Sequence, residues 1–173
     1  VAHTMFVQEE TLESIVPDAC PDIARIVSAC GKAFLKDKEL GEGTLRLSGT
    51  AKVTVLYIPE GEELPRSLEV SIPFQCVRDD PQFHAGCPVL ADLQVPTADA
   101  RTINPRKMLV RVGLSVWAAA YERERRELSA DLTGGEGEGL QKQVVPRKCC
   151  VIPEVSEKTF TFSDVLRPPA SRP

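Results

Sequence analysis

The chain has 173 residues, enough for one substantial domain with extra segments or for two small ones. It is 42% hydrophobic and 27% charged with a formal net charge of −4, and that mild acidity argues against a nucleic-acid binder, which carries a basic face or stripe. No apolar run reaches the roughly 18 residues that a membrane-spanning helix needs, and no signal peptide is legible.

The first segment, T-M-F-V-Q-E-E-T-L-E-S-I, is an aromatic-led stretch of β type and runs into V-P-D-A-C-P-D-I at residues 16–23. A cysteine between two prolines can be a reactive thiol, because a helix start stabilises a thiolate. A nucleophile also needs a base, and neither His3 nor His84 is near Cys20 in sequence. The reading adopted is geometry: Pro17 and Pro21 set a rigid lead-in turn, Asp18 satisfies local amides, and Asp22 starts a helix. Ile23, Ile26, Val27 and Cys30 then form an i, i+3, i+4, i+7 stripe, with Gly31 placed to end it. The pattern predicts one short amphipathic N-terminal helix.

Period-two alternation follows. Across residues 43–58, Leu45, Leu47, Ala51, Val53, Val55 and Tyr57 share one face, while Thr44, Arg46, Ser48, Thr50, Lys52 and Thr54 share the other. So long a strand is expected to bend or bulge, and Gly49 is the expected place. The turn P-E-G-E-E-L-P leads to a partner in which Leu68, Val70, Ile72 and Phe74 alternate with Glu69, Ser71 and Gln75, which makes a hairpin with an acidic tip. Residues 88–95 read as a further strand. Residues 108–122 alternate again, and their β-branched and aromatic content favours strand over helix despite Ala118, Ala119 and Ala120. The expected class is mainly β: an antiparallel β-sandwich or open barrel with one short helix and an extended C-terminal arm.

Three segments are delimited: a β domain at 1–131, a Gly/Glu-rich linker at 132–144 and a β-forming arm at 145–173. The linker T-G-G-E-G-E-G lacks the Gly-Lys-Ser/Thr of a phosphate loop, and its glutamates would repel phosphate. The arm's T-F-T-F-S-D-V-L-R-P-P-A-S-R-P parallels the opening of the chain: an aromatic-led segment, an acidic residue, a leucine and two prolines four apart, Pro17 and Pro21 against Pro169 and Pro173.

The order of P-D-A-C-P-D-I, G-T-A-K-V-T-V-L-Y-I, I-P-F and I-N-P-R-K resembles the SPOCS domain, a repeat of spore-envelope assembly proteins in clostridia-type spore formers. The resemblance covers residues 6–128, and Pro17, Pro21, Asp22 and Ile23 form its lead-in motif. It implies a sporulation setting, in which such domains are often repeated. The arm is then the start of a second repeat that stops at Pro173, or a strand that belongs to another partner.

Chemistry has few footholds. Cys76, His84 and Cys87 fall short of the four ligands of a closed zinc site, so no metal and no cofactor are expected. Two free thiols, or a Cys76–Cys87 disulfide closing the loop, are the other readings of that pair. Cys149 and Cys150 either bond across chains or form a reduced pair in a strand, one side chain on each face. Cys20 is a third candidate for an interchain bond. No Ser/His/Asp constellation can be assembled from two histidines.

The function expected is therefore non-catalytic. The protein would polymerise with itself into a spore-envelope or surface layer or filament, at the spore surface or outside the cell. Other spore-envelope proteins are further partners, and neither nucleic acid nor membrane insertion is expected. In the arm, Phe160, Phe162, Val165 and Leu166 would carry strand addition. The alternatives are an adaptor in the mother-cell cytoplasm that holds a morphogenetic ATPase or coat partner, and a metal or redox enzyme.

Overall fold

The computed structural model describes residues 1–122, 156–158, 160 and 162. The chain divides into two units, Val1–Leu128 and Ser129–Pro173. In the first unit six long strands follow one another: β1 (Ala2–Ile15), β2 (Ile23–Gly41), β3 (Thr44–Pro59), β4 (Arg66–Asp79), β5 (Val89–Asn104) and β6 (Lys107–Ala120). They form two three-stranded antiparallel sheets, one in the order β1-β6-β5 and the other β2-β3-β4. Both sheets turn their apolar sides into a single core, and no barrel closes around it.

The alternation read in the sequence decides which side faces in. On β3, Leu45, Leu47, Ala51, Val53, Val55 and Tyr57 are buried, and on β4 Leu68, Val70, Ile72, Phe74 and Cys76 are buried. The hairpin of β3 and β4 runs in unbroken register from Thr44 opposite Asp79 to Tyr57 opposite Arg66. Across the core, β6 supplies Met108, Val110, Val112, Leu114, Val116 and Ala118, as a central strand should. The strand expected at 88–95 is longer than read, since β5 continues to Asn104.

No helix occurs among the described residues, and the residues of the expected N-terminal helix belong to β2 instead. Register shifts between Ile23 and Arg25 and between Ile26 and Ser28 each insert one extra residue into β2. Ile23, Ile26 and Ala29 consequently face Pro59, Tyr57 and Val55 on the core side, a spacing of three that imitates a helical stripe. Val27 and Cys30, counted as helix interior in the stripe, stand exposed on the outer side. The β-branched residues Ile23, Ile26 and Val27 suit the strand better than the helix.

The bulge expected at Gly49 lies on the partner strand instead, between Leu35 and Asp37 of β2, with Leu35 opposite Gly49. Glycine is needed at 49 for space: a Cβ there would sit 2.1 Å from the Phe34 carbonyl oxygen and 2.7 Å from Phe74 Cζ. The tight β2–β3 turn uses Gly43 at φ 72°, in the left-handed region. Its backbone is tied to the 80–83 loop, with Gly43 N donating to Phe83 O at 2.8 Å and Asp80 N donating to Gly43 O at 2.9 Å. That brings the Phe83 ring into the core as a plug at this end.

Candidate functional site

Two of the motifs that stood out in the sequence meet at the end of the first unit where β1 crosses to β2. Asn104, Pro105, Arg106 and Lys107 make the tight turn between β5 and β6, and Arg106 N donates to Asn104 Oδ1 at 2.9 Å, a side-chain-stabilised turn suited to Asn-Pro. The turn aims the Arg106 guanidinium into the V-P-D-A-C-P-D segment. Nη1 donates to Cys20 O at 2.7 Å and to Asp22 Oδ1 at 2.9 Å, and Nη2 donates to Val16 O at 3.0 Å, Pro17 O at 3.1 Å and Asp18 Oδ1 at 3.4 Å. Backbone bonds close the same contact, from Val16 N to Arg106 O at 2.9 Å and from Ile23 N to Pro105 O at 2.8 Å.

The planar, five-donor guanidinium suits such a set of carbonyl and carboxylate acceptors, where a lysine would reach one or two. The V-P-D-A-C-P-D-I stretch is thus a turn wrapped around an arginine. Cys20 N donates to Pro17 O at 2.8 Å to form the turn itself. Asp22 caps no helix: it holds Arg106, while its own carbonyl accepts from Glu60 N at 2.8 Å. Asp18 reaches Arg106 and stays on the surface. Pro17 and Pro21 flank the turn, Ile23 is buried just beyond it, and Cys20 is half-buried against the core. Arg106 is the residue the sequence reading missed. The signal available was Asn-Pro followed by a cation, but not its partner some 85 residues away.

The other sequence candidates are dispersed. Cys76 is buried on the inner face of β4, and its thiol pKa is pushed up to about 11, first by burial and then by the Glu10 carboxylate of β1. Cys87 lies in the loop before β5, and Cys20, Cys30, Cys76 and Cys87 are all free thiols. His84 turns to Glu42, with Nδ1 and Oε2 3.3 Å apart, and the Ala85 amide donates to the same carboxylate at 3.0 Å. The amide, then the histidine, hold the Glu42 carboxyl below the usual range. Among the described residues no group of three or more His, Cys, Asp or Glu side chains gathers as a metal site would require. An open cavity of about 330 Å³ is lined by Ala2, Gln82, His84, Cys87 and Glu122, and the His84 ring there is turned to Glu42. Tyr57 is fully buried, and its hydroxyl has no hydrogen-bond partner among the described residues.

The sheet edges differ from one another. β2 and β5 run alongside each other with antiparallel sense: Lys38 Nζ donates to Val89 O at 3.0 Å, and a Cβ on Gly31 would lie 3.1 Å from Val95 Cγ1. Both strands carry devices that discourage further pairing, three register shifts in β2 and, in β5, a shift between Gln94 and Thr97 that contains Pro96. β1 and β4, at the other side, touch sparsely. Gln8 Nε2 donates to Gln75 O there at 3.0 Å. β4 carries Pro73 on its outer face, whereas β1 pairs with β6 without a single shift from Ala2 to Ile15.

Of the arm residues, Phe160 and Phe162 are described and exposed, and Lys158 Nζ sits 5.2 Å from the centre of the Phe160 ring. Val165, Leu166, Cys149 and Cys150 lie outside the described residues.

Residues 22–103 match the family model described as SipL, SPOCS domain. The match begins at Asp22 of the turn, takes in β2 to β4 and almost all of β5, and stops just short of the Arg106 turn. No curated protein and no solved structure matches the chain.

Proposed function

We propose that this chain, which carries a SPOCS domain over residues 22–103, is a non-catalytic building part that assembles with copies of itself in the spore envelope. The SPOCS-domain match over residues 22–103 supports a sporulation-related role; the assembly and its place are our reading. In each contact the C-terminal arm of one copy adds as a strand to a sheet edge of the next, so that main-chain hydrogen bonds supply affinity and alternating side chains supply specificity. The contact is head-to-tail, which gives a filament or layer rather than a closed pair.

The observation that supports this reading is a plain sheet edge and an exposed aromatic pair among the described residues. Phe160 and Phe162 stand exposed on the arm, and β1 presents a long edge without proline or bulge. Disulfides through Cys149, Cys150 or Cys20 would lock an assembly already formed by strand pairing. Negative-stain microscopy of the intact protein and of a form lacking residues 154–173, each with and without reductant, tests the reading. Ordered filaments or sheets that disappear on deletion support it. Single particles in every condition refute it and favour an adaptor.

A further inference from the structure

We infer that the acceptor is the free edge of β1, taking residues 158–166 of a second copy in antiparallel register with Lys158 opposite Glu9. This inference rests on the self-assembly reading and specifies the surface and pairing within it.

The other three edges are poor acceptors. β2 and β5 occupy each other's edges and are broken by register shifts. β4 has Pro73 in mid-strand and an outer face of Glu69, Ser71 and Gln75, with Val77 near its end as a lone exposed aliphatic and no alternate apolar pair to meet two aromatic rings. β1 has an unbroken backbone ladder to β6 on one side and no ladder on the other among the described residues. Its outer face also carries two alternate apolar side chains in water, Met5 at 71% and Val7 at 70% exposure, beside Trp117 of β6 opposite Met5. A soluble sheet edge ordinarily carries charge or proline at such positions.

The arm has the matching pattern. Phe160 and Phe162, at 65% and 90% exposure, are also alternate residues and would share one face of a strand. Directly opposed residues of antiparallel strands lie on the same face, so one register can be checked pair by pair. With Lys158 opposite Glu9, Phe160 falls opposite Val7, Phe162 opposite Met5 and Asp164 opposite His3. Each pair is an ion pair, an apolar pair or an acid against a histidine. On the inner face the same register sets Thr161 against Phe6, Ser163 against Thr4 and Val165 against Ala2, with no charge turned toward the core. The occupant is the arm of a second copy: Lys158 and Glu9 are complementary in charge, and Phe160 and Phe162 alternate as Met5 and Val7 do.

The test is a charge exchange in the full-length protein, read as the concentration dependence of weight-average mass by sedimentation in reductant. Glu9→Lys and Lys158→Glu should each weaken self-association about tenfold, and the double exchange should restore it to within about twofold of the original. Glu9 lies on the exposed face, so unchanged thermal unfolding of each variant separates a lost contact from a lost fold. Val7→Lys, which cannot be rescued by the arm exchange, should weaken association on its own. If deleting residues 154–173 abolishes association while the exchanges leave it unchanged, the β1 register is overturned and the assembly reading stands. If deletion leaves association intact, both fall. A monomer at every concentration overturns the second copy as occupant.

Discussion

The two sides of this domain solve the same problem in opposite ways. Where β2 meets β5, the edges of the two sheets lie together, Lys38 turns its ammonium to the Val89 carbonyl, and register shifts interrupt both strands. The Arg106 clasp closes the same side at its end by tying the β1–β2 crossing to the β5–β6 turn. Where β1 faces β4, a Gln8 side chain reaches the Gln75 carbonyl and the strand beside it runs straight for 14 residues. Edge strands invite further pairing unless bulges, charge or proline prevent it. A domain that guards one side and leaves the other plain has an edge to offer.

This contrast can be broken from the closed side first, where the effects are largest. Gly49→Ala drives a methyl group into the Phe34 carbonyl at the β2 bulge, and chemical denaturation should show a loss of about 3 kcal/mol. Arg106→Ala removes the clasp and leaves the Val16, Pro17 and Cys20 carbonyls to find water; the expected loss is about 2 kcal/mol, with Arg106→Lys recovering less than half. Either result near zero would mean that the closed side is not held as described.

Cys76 sharpens the comparison because it reports on the other side, with Glu10 of β1 acting on it from across the gap. Its folded pKa is about 11 against an ordinary 9.0, so the unfolded thiol ionises first as pH rises. Stability is therefore unaffected below pH 9 and falls between 9 and 11, by at most about 2 kcal/mol relative to Cys76→Ala. At pH 8 an alkylating reagent should modify exposed Cys30 well before Cys76. The smallest effect belongs to the open side itself. Gln8→Ala removes its bond to Gln75 and should cost no more than about 1 kcal/mol in denaturation.

The inner faces of β3, β4 and β6 were legible because their backbone ladders keep strict alternation, so each apolar residue advertised its side. β2 was illegible for a physical reason: two bulges within six residues moved its core positions from spacing two to spacing three, which in sequence is indistinguishable from a helical face. The lead-in turn was readable as geometry from its prolines. What it wraps was not, because Arg106 lies 84 residues further along the chain than Asp22. Nor did alternation alone show that β1 would be an edge with Met5 and Val7 in water, since that depends on which strands are its neighbours.

Amide hydrogen exchange on the intact protein, dilute and concentrated, tests the central claim most directly. In dilute solution the β1 amides that point away from β6 should exchange rapidly while those of β2 paired with β3 are protected. At concentrations where copies associate, the account expects those β1 amides over residues 2–9 to become protected at alternate positions, with β4 unchanged. Protection that appears instead along β4, or no change along β1 while the protein assembles, would contradict it.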